Sequence, residues 1–353
     1  MADNKAYQKR ANISLVMQTI RVKNDISRIE ISRELGLDRS TITNIVSKLI
    51  DEGLLIEKSQ GLSVSKGGRK PVMLGINPKF GLVLGLELQV NFYRATLLSI
   101  DGSIIWNRLV NTDSIKDIFD ELKENIERSR TPLLGIGVGI PGRVDPLDGT
   151  IFESSPLYPY QDDIKRLSDL FNVPVVLDND SNCCAWGVLE LKKGSGLRNF
   201  LYSIVEFHGD NKLAENREIG FGIVINGNVY YGEDFTAGEI CNPLVHEIED
   251  KVYFEKLIEK LSLFIAFLNP SHLFLGGEFL AYKDKIENLV KNSSFFGKCE
   301  VVFSELRQYE VSYGAASMFI ERLFKVPGIK NHRITDLTWE KVLESRKLKL
   351  VKR

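Results

Sequence analysis

The sequence predicts a multidomain protein in which a small, mainly helical N-terminal domain precedes a larger α/β body. The chain has 353 residues, more than a single hydrophobic core usually serves. Helical hydrophobic periodicity dominates the first seventy-five residues, whereas short apolar strands alternate with helices afterwards. The net charge changes at the same place. Residues 1–75 hold thirteen Lys and Arg against eight Asp and Glu, which gives a net charge of +5. Since the whole chain has a net charge of −1, the remaining residues carry −6. A basic first quarter suits a domain that binds a polyanion.

Cysteine usage and hydropathy exclude several classes of protein. Four cysteines in a chain of this size do not make a disulfide framework, and because they form no CxxC pair a thiolate zinc site lacks its usual spacing. The adjacent Cys183 and Cys184 lie in an apolar stretch, which favours packing in a core over a redox role. The N-terminus lacks the apolar segment of a signal peptide, and no segment holds about eighteen consecutive apolar residues. We therefore expect a cytoplasmic protein without membrane contacts.

Two short helices joined by a tight turn are predicted in the N-terminal domain, after a first helix that ends near Lys23. Ser27 is expected to cap the first of the two, with Glu30 completing a capping box, and Gly36 to end it in a left-handed conformation. Asp38 is expected to cap the second. This arrangement is typical of a helix-turn-helix. The apolar face of the preceding helix is expected to comprise Ile13, Leu15, Val16, Ile20 and Val22.

The helix after Asp38 has two contrasting faces. Its apolar residues, from Ile42 to Ile50, recur at helical spacing. From Arg39 to Lys48 the opposite face is small polar or basic and holds no acidic residue, whereas a solvated face would normally include Glu and better helix formers. Short hydroxyls allow close approach to base edges, and Arg and Asn can form bidentate contacts with guanine and adenine. We therefore predict that this helix reads the major groove of DNA through Arg39, Ser40, Thr41, Thr43, Asn44, Ser47 and Lys48.

A β-wing and a basic strap are predicted after this helix. Residues 54–56 and the polar, Gly-rich segment that follows them predict the wing. The strap, residues 65–71, contains two glycines, the adjacent cations Arg69 and Lys70, and a proline. It can be a plain linker, or a segment whose cations enter a narrow minor groove or clamp phosphates. We favour a linker that also contacts DNA, and we interpret residues 1–75 as a winged helix-turn-helix domain with a basic linker.

The body consists of apolar strands that lead into turns and polar segments. A short strand entered through Pro174 delivers Asp178, Asn179 and Asp180 at its carboxyl end, which is where an open α/β sheet places its ligands. A second series of strands begins at residue 200, with a hairpin signal at Asn226-Gly227. Strands are predicted at residues 81–88, 92–100, 103–110, 133–140, 175–177, 200–205, 221–225 and 273–277, and helices at 114–130 and 257–268.

Nine motifs follow one another along the chain: the winged module, the GGRKP strap, residues 84–101, GIGVGIPGRVD, LDNDSN, IGFGIVINGNVYYGE, AGE at 237–239, LFLGG, and YGAA at 313–316. Their order resembles the ROK family of repressors, open reading frames and sugar kinases, in particular its winged helix-turn-helix repressor branch. The resemblance spans residues 10–325. It implies a two-lobed, actin-like (ribonuclease-H-like) ATPase fold around a cleft, with a sugar or sugar-like polyol as ligand. The implied first lobe is residues 76–185, the second is 186–325 with a terminal helix that returns to the first, and 326–353 form a polar tail.

Both phosphate loops differ from those of the sugar kinases that the resemblance implies. The kinases' first loop reads Asp-x-Gly-Gly-Thr, whereas residues 87–91 here are Glu-Leu-Gln-Val-Asn. A β-carbon at either former glycine blocks the approach of the backbone to a phosphate. The second loop, usually Gly-Thr-Gly-Ile-Gly, matches residues 216–220, where Glu218 would repel a phosphate. We therefore expect no enzyme activity; a sugar kinase that carries a DNA-binding module is the alternative.

The sugar side of the implied site is better preserved. By resemblance, Asp180 matches the family's catalytic Asp, Asn179 precedes it as expected, and Glu239 matches a sugar-binding carboxylate. Asn242 stands where the family has a histidine that binds both sugar and structural zinc, and the family's cysteine-rich zinc loop is missing. We predict an effector site of Asn179, Asp180, Glu239 and Asn242, with no zinc, no other cofactor and no catalytic residue. For Asp180, the alternative is a carboxylate that caps a helix starting near Ser181.

Together these features predict a sugar-responsive DNA-binding regulator, most simply a repressor of a carbohydrate-utilisation operon. A homodimer, or a dimer of dimers, would bind an inverted-repeat operator in double-stranded DNA, with half-sites about one helical turn or a multiple of it apart. A sugar in the cleft would change lobe closure and so the spacing of the two recognition helices. A third interpretation is a regulator without a small effector, controlled by protein contacts instead.

Overall fold

A computed structural model gives the fold. It describes residues 2–60, 70–89, 92–111, 115–153, 164, 166–207, 217–239, 250–293, 296–325, 339 and 342. The N-terminal domain combines three helices with a small sheet, and it is a winged helix-turn-helix. Its elements are α1 (Ala2–Lys23), β1 (Ile26–Ser27), α2 (Arg28–Leu35), α3 (Arg39–Asp51), β2 (Leu55–Gln60) and β3 (Val72–Ile76), and the sheet order is β1-β3-β2.

The predicted helix signals of this domain are confirmed at α2 and α3. The Ser27 hydroxyl accepts a hydrogen bond from the backbone N–H of Glu30, and the Glu30 carboxylate accepts one from the Ser27 N–H at 2.8 Å, which completes the capping box. Gly36 ends α2 with a φ of 63°. Asp38 occupies the N-cap position of α3, although its side chain makes no capping hydrogen bond. The apolar stripe of α3 is buried: Ile42, Ile45, Val46 and Leu49.

The predicted apolar face of α1 was partly wrong. Val16, Met17 and Ile20 are fully buried, whereas Leu15 is 37% and Val22 is 40% exposed. The reason is the helical repeat, because residues 15 and 22 lie about 100° to 120° away from residue 16 around the helix axis, on the side opposite to residue 17. Met17 therefore belongs to the core of the domain, and Leu15 and Val22 do not.

The basic strap lies in sequence between the two strands of the wing, and not after the wing as predicted. Strands β2 and β3 pair antiparallel, with Leu55 opposite Ile76 and Gln60 opposite Val72. Residues 61–71 therefore connect the two strands of the wing in sequence and do not link the wing to the body. The connection to the body comes after β3, where the Asn77 side chain donates to the Gly53 carbonyl at 2.7 Å. Arg69 lies outside the described residues.

The first lobe is built on a mixed sheet whose strands include each one predicted between residues 81 and 177. Its elements are β4 (Leu82–Leu88), β5 (Phe92–Ser99), β6 (Ile104–Asn111), α4 (Ile115–Glu127), β7 (Leu133–Ile140), the two-stranded ribbon β8 (Arg143–Asp145) and β9 (Thr150–Glu153), α5 (Leu167–Phe171) and β10 (Val175–Asn179). The sheet order is β10-β7-β4-β5-β6, with β10, β7 and β4 parallel and β5 and β6 added antiparallel. The parallel strands end together, so β10 brings Asp178 and Asn179 to one edge of the lobe.

The second lobe contains a second five-stranded sheet. Its elements are β11 (Phe200–Phe207), β12 (Arg217–Ile225), β13 (Asn228–Val229), α7 (Asp250–Leu268), β14 (His272–Gly277), α8 (Lys283–Lys291) and β15 (Glu300–Phe303), numbered after a helix α6 (Asp180–Leu191) that leaves β10. The order is β13-β12-β11-β14-β15. The predicted Asn226-Gly227 turn joins β12 to β13, and both residues have positive φ as such a turn requires.

Two buried helices connect the sheets. The first is α6, and the second is α9 (Glu310–Phe324), which returns from the second lobe and packs on β4 and β7 of the first. This packing depends on glycine at the point of closest approach, because a β-carbon at Gly137 would lie 1.9 Å from the carbonyl oxygen of Ala315. Helix α9 is buried along almost all of its length.

Candidate DNA-binding face and effector site

The outward face of α3 is the candidate DNA-binding surface. The helix is 13 residues long and its N-terminus follows the turn after α2, so it projects from the domain as the second helix of a helix-turn-helix. The Thr43 hydroxyl donates to the Arg39 carbonyl at 2.8 Å, and Lys48 lies 3.6 Å from Glu52 one turn further on. The structure places on this one face all the residues predicted from α3: Arg39, Ser40, Thr43, Asn44, Ser47 and Lys48 are exposed, and Thr41 is half-buried.

Lys70 is exposed two residues before β3, near the end of the β2–β3 ladder where Gln60 pairs with Val72. A winged helix-turn-helix can use such a position for phosphate or minor-groove contacts while α3 occupies the major groove.

Asn179 and Glu239 meet at the carboxyl end of β10. Asn179 is the N-cap of α6, and its side-chain oxygen accepts hydrogen bonds from the backbone N–H groups of Ser181 and Asn182. Its amide nitrogen donates to Glu239 Oε1 at 2.8 Å and to the Gly142 carbonyl at 3.1 Å. The alternative considered for Asp180 was a helix cap; the structure assigns the cap to Asn179, because the helix begins at Asp180 and not near Ser181.

Asp180 is the first residue of α6 and is half-buried beside this pair. Its Oδ1 accepts a hydrogen bond from the Ser181 N–H at 2.6 Å. Asn242, the fourth residue of the predicted effector site, lies outside the described residues.

Glu239 is held by the second lobe. Its segment pairs with β12 through an antiparallel bridge between Gly220 and Glu239, and the Phe221 N–H donates to the Gly238 carbonyl at 3.2 Å. Asn179 belongs to the sheet of the first lobe. The hydrogen bond between Asn179 and Glu239 therefore joins the two lobes across the end of β10.

Sequence reasoning missed the role of Asp178, the residue before this pair. The Asp178 carboxylate is fully buried, and Oδ2 accepts hydrogen bonds from the Tyr231 hydroxyl at 2.8 Å and from Trp186 Nε1 at 3.3 Å. Oδ1 accepts from the Asn182 amide at 3.2 Å, and Arg322 Nη2 lies 3.8 Å from Oδ2. Burial raises the pKa of Asp178, and the Arg322 guanidinium opposes that rise. The position of an Asp directly after a buried strand was the one signal of this role in the sequence.

The residues that match the kinases' phosphate loops have other partners here. Glu87 is fully buried and forms an ion pair with Arg94 at 2.6 Å across the β4–β5 hairpin. The Gln89 N–H donates to the Phe92 carbonyl at 3.1 Å, which keeps that hairpin tight. Residues 217–220 of the second loop belong to β12. Residues 90, 91 and 216 lie outside the described residues.

Within the described residues, no three His, Cys, Asp or Glu side chains are grouped so that they could bind a metal ion. None of the described helices is both long and apolar enough to cross a membrane.

Comparison with known proteins decides the family. The ROK family model matches residues 87–248, and a model described as winged helix-turn-helix DNA-binding matches residues 12–56. The xylose repressor of Staphylococcus xylosus is 31% identical over 277 residues, which cover 71% of this chain and 68% of that protein. The chain belongs to the ROK family. A putative xylose repressor from Caldicellulosiruptor sp. is 34% identical over 249 residues, 67% of this chain and 59% of that relative. The chain thus spans less than two thirds of the length of that relative.

Solved structures of ROK proteins show the same fold. A ROK family transcriptional regulator, described as a homologue of the E. coli MLC protein, superposes with a TM-score of 0.64 at 20% identity and covers 96% of this chain and 100% of its own. A ROK glucokinase from Streptomyces griseus, in complex with glucose and AMPPNP, gives a TM-score of 0.51 at 15% identity over 67% of this chain and 99% of the kinase. The predicted fold, a winged helix-turn-helix followed by a two-lobed, actin-like body, is confirmed.

Proposed function

We propose that this protein is a sugar-responsive transcriptional repressor that binds double-stranded DNA through α3. The observation that carries the proposal is the exposed polar and basic face of α3, which holds no acidic residue from Arg39 to Lys48, in a winged helix-turn-helix joined to a ROK body. The names of its relatives support the regulatory role, since several are xylose repressors. Such a protein acts in the compartment that holds the chromosome, and we propose a cytoplasmic location on that ground alone.

In the proposed complex, α3 lies in the major groove. Arg39 and Asn44 are the candidates for bidentate base contacts, while the hydroxyls of Ser40, Thr41, Thr43 and Ser47 lie close to base edges or phosphates. Lys48 and the strap residues Arg69 and Lys70 supply phosphate or minor-groove contacts. Two copies of the chain would bind the two halves of an inverted repeat, because the symmetry of a dimer matches that of such an operator.

The proposed effector is a sugar or polyol at the end of β10, bound by Asn179, Asp180 and Glu239, together with Asn242. Sugar hydroxyls both donate and accept hydrogen bonds, so one can be placed between the Asn179 amide and the Glu239 carboxylate in exchange for their direct bond. Since that bond joins the lobes, a ligand there would bind the two lobe arrangements with different affinity. D-Xylose is the first sugar to test because relatives are named as xylose repressors.

We further propose that the protein is not a kinase and carries no zinc. The acidic residue of the first phosphate loop, Glu87, is buried against Arg94, which leaves its carboxylate paired within the protein rather than facing a nucleotide. Side-chain-bearing residues replace the glycines that a phosphate cradle needs. For zinc, the support is that Asn242 stands in place of the family's histidine.

A thermal-shift screen of the full chain against pentoses, hexoses and polyols tests the effector proposal. A sugar that binds the folded state must raise the unfolding midpoint, and we expect D-xylose or a related pentose to do so. If none of the sugars raises the midpoint, the interpretation as a regulator controlled by protein contacts replaces it.

The same panel, in a coupled assay for ADP release from ATP, tests the kinase alternative. We expect no sugar-dependent turnover. Sugar-dependent ADP release that disappears in an Asp180→Asn variant would establish the kinase instead.

A further inference from the structure

Arg21 of α1 connects the DNA-binding domain to the body through buried charges. Its guanidinium donates from Nη1 to Glu321 Oε2 of α9 at 2.6 Å and pairs through Nη2 with Glu190 Oε2 of α6. It also lies over the ring of Phe324, 5.2 Å from the ring centroid. One turn earlier on α1, the Gln18 amide donates to the Phe324 carbonyl at 2.9 Å. Two adjacent turns of one helix of the DNA-binding domain are therefore fixed to the body.

The charges in this contact are well shielded from water. The side chains of Arg21 and Glu190 are 5% and 3% exposed, and that of Glu321 is 33% exposed. Glu190 also pairs with Lys193 at 2.5 Å. Burial alone would lower the pKa of the Arg21 guanidinium, but the carboxylates of Glu190 and Glu321 raise it above its ordinary value. The stability of a guanidinium buried in this way depends on both carboxylates, because removing one of them leaves a buried positive charge that is incompletely compensated.

Both carboxylates lie on helices that contact or begin at the candidate effector site. Glu190 lies on α6, ten residues after Asp180, so about 15 Å of helix separates it from the end of β10. Glu321 is the neighbour of Arg322, which lies 3.8 Å from Asp178 and donates to the Pro146 carbonyl at 2.7 Å. Each of the two contacts of Arg21 is thus linked to β10 by a single rigid helix or by an adjacent residue.

Helices α6 and α9 are packed too closely to slide past each other. A β-carbon at Gly314 of α9 would lie 1.7 Å from the carbonyl oxygen of Cys183 of α6, so the two backbones touch there. One turn further along α6, a β-carbon at Gly187 would lie 3.2 Å from the Tyr313 ring and 3.4 Å from the Cα of Gly314, so the two helices stay in contact there. The pair therefore presents Glu190 and Glu321 to Arg21 as one unit, and a shift at the start of α6 moves both carboxylates.

We propose that Arg21, Glu190 and Glu321 are positioning residues, which set the orientation of the DNA-binding domain on the body and transmit the state of the β10 edge to α3. The part that concerns a sugar rests on the proposed function, since it takes the effector to bind at Asn179 and Glu239. The part that concerns orientation does not need a sugar. Arg21 suits this role because its planar fork can engage two carboxylates in fixed directions, which a lysine cannot do.

The first experiment measures operator affinity by fluorescence anisotropy at fixed salt, with and without D-xylose, in wild type, Glu190→Gln and Arg21→Lys. D-Xylose binding is followed separately by thermal shift. We expect both variants to bind D-xylose as wild type does, while the sugar-induced change in operator affinity, about tenfold or more in wild type, falls to less than about threefold. Glu34→Gln is the control, because Glu34 is the half-exposed partner of Lys23 on α1 and its loss leaves the contact with the body intact. Variants that respond to D-xylose as fully as Glu34→Gln overturn the proposal.

A second, sugar-free experiment separates this proposal from the proposed function. Asn179→Asp keeps an N-cap for α6 but places a second carboxylate against Glu239, which perturbs the β10 edge directly. We expect its effect on operator affinity to be at least about threefold smaller in a Glu190→Gln background than in wild type. Equal effects in the two backgrounds overturn the proposal, whether or not wild type responds to any sugar. If Glu190→Gln does not fold, Glu321→Gln replaces it as the second background, because the Glu321 carboxylate is more exposed.

Discussion

The outward face of α3 and the buried cluster around Asp178 are both rich in hydrogen-bonding groups, but they use them in opposite ways. On α3, polar side chains such as Asn44 and Ser47 are exposed to solvent, where DNA can reach them. Around Asp178, the donors of Tyr231, Trp186 and Asn182 already point at a carboxylate within the protein. Substitutions on α3 should therefore change DNA affinity at little cost in stability, whereas substitutions in the cluster should lower stability first.

Asp178→Ala should have the largest effect. It leaves the Arg322 guanidinium buried without its carboxylate and removes the acceptor of Tyr231 and Trp186, which should lower the free energy of unfolding by about 3–5 kcal/mol. Urea denaturation measures the change. Asp178→Asn, which retains the size and one acceptor oxygen, should lose less. A loss below about 1 kcal/mol in Asp178→Ala would show that the cluster is not a structural requirement.

Glu310 offers a pH test of the buried region. Burial raises its pKa from 4.5 to about 7, against the opposing hydrogen bonds from Ser304 and the Gly277 N–H and the charge of Arg94. The pKa of Glu310 is therefore higher in the folded protein than in the unfolded chain. Its contribution to the free energy of unfolding is fully present below about pH 4.5 and is lost as the pH rises to about 7, which lowers that free energy by roughly 2–4 kcal/mol. Glu310→Gln should remove this loss. Unfolding curves of wild type and variant that run parallel between pH 5 and 8 would contradict it.

Asn44→Ala should weaken operator binding by about 1–3 kcal/mol, the usual value of a bidentate base contact, without changing the melting midpoint. Anisotropy titrations at one salt concentration measure the affinity. Asn288→Ala provides a matched control, because Asn288 is an exposed asparagine on a helix of the second lobe. Equal operator affinities for the two variants would place DNA recognition elsewhere.

Ser27→Ala should have the smallest effect. It removes the capping box of α2 and should lower the free energy of unfolding by about 1 kcal/mol, while Ser27→Thr should restore most of the loss. Urea denaturation of the two variants makes the comparison. If Thr is no better than Ala at this position, the cap contributes little, and packing alone holds α2.

The N-terminal domain and the buried cluster also differ in how far they could be predicted from the sequence. The helix-turn-helix was legible because its signals are local: Ser27 and Glu30 are three residues apart, and the stripe of α3 spans two turns. The wing was predicted, but the strap was expected to follow it. In the structure, strand β3 comes after the strap in sequence and pairs with β2. A polar segment of that length is equally compatible with a linker and with the tip of a hairpin.

The contacts of the buried charged residues could not be predicted from the sequence, because the residues that form them are distant in sequence. Asp178 meets Tyr231 and Arg322, and Arg21 meets Glu190 and Glu321, only once both lobes and the N-terminal domain have assembled. The family resemblance did supply Asn179 and Glu239, and the structure brings these two together. It could not supply the contact of Arg21 with the body, since a matched motif does not say which distant residues its members contact.

Operator affinity with and without sugar tests the central claim most directly. The measurement is an anisotropy titration of wild-type protein on an operator duplex selected from a random library, at fixed salt, with D-xylose or the sugar that raises the unfolding midpoint most. We predict that the saturating sugar raises the operator dissociation constant by about tenfold or more. An unchanged dissociation constant at a sugar concentration that saturates the thermal shift would contradict a sugar-responsive repressor.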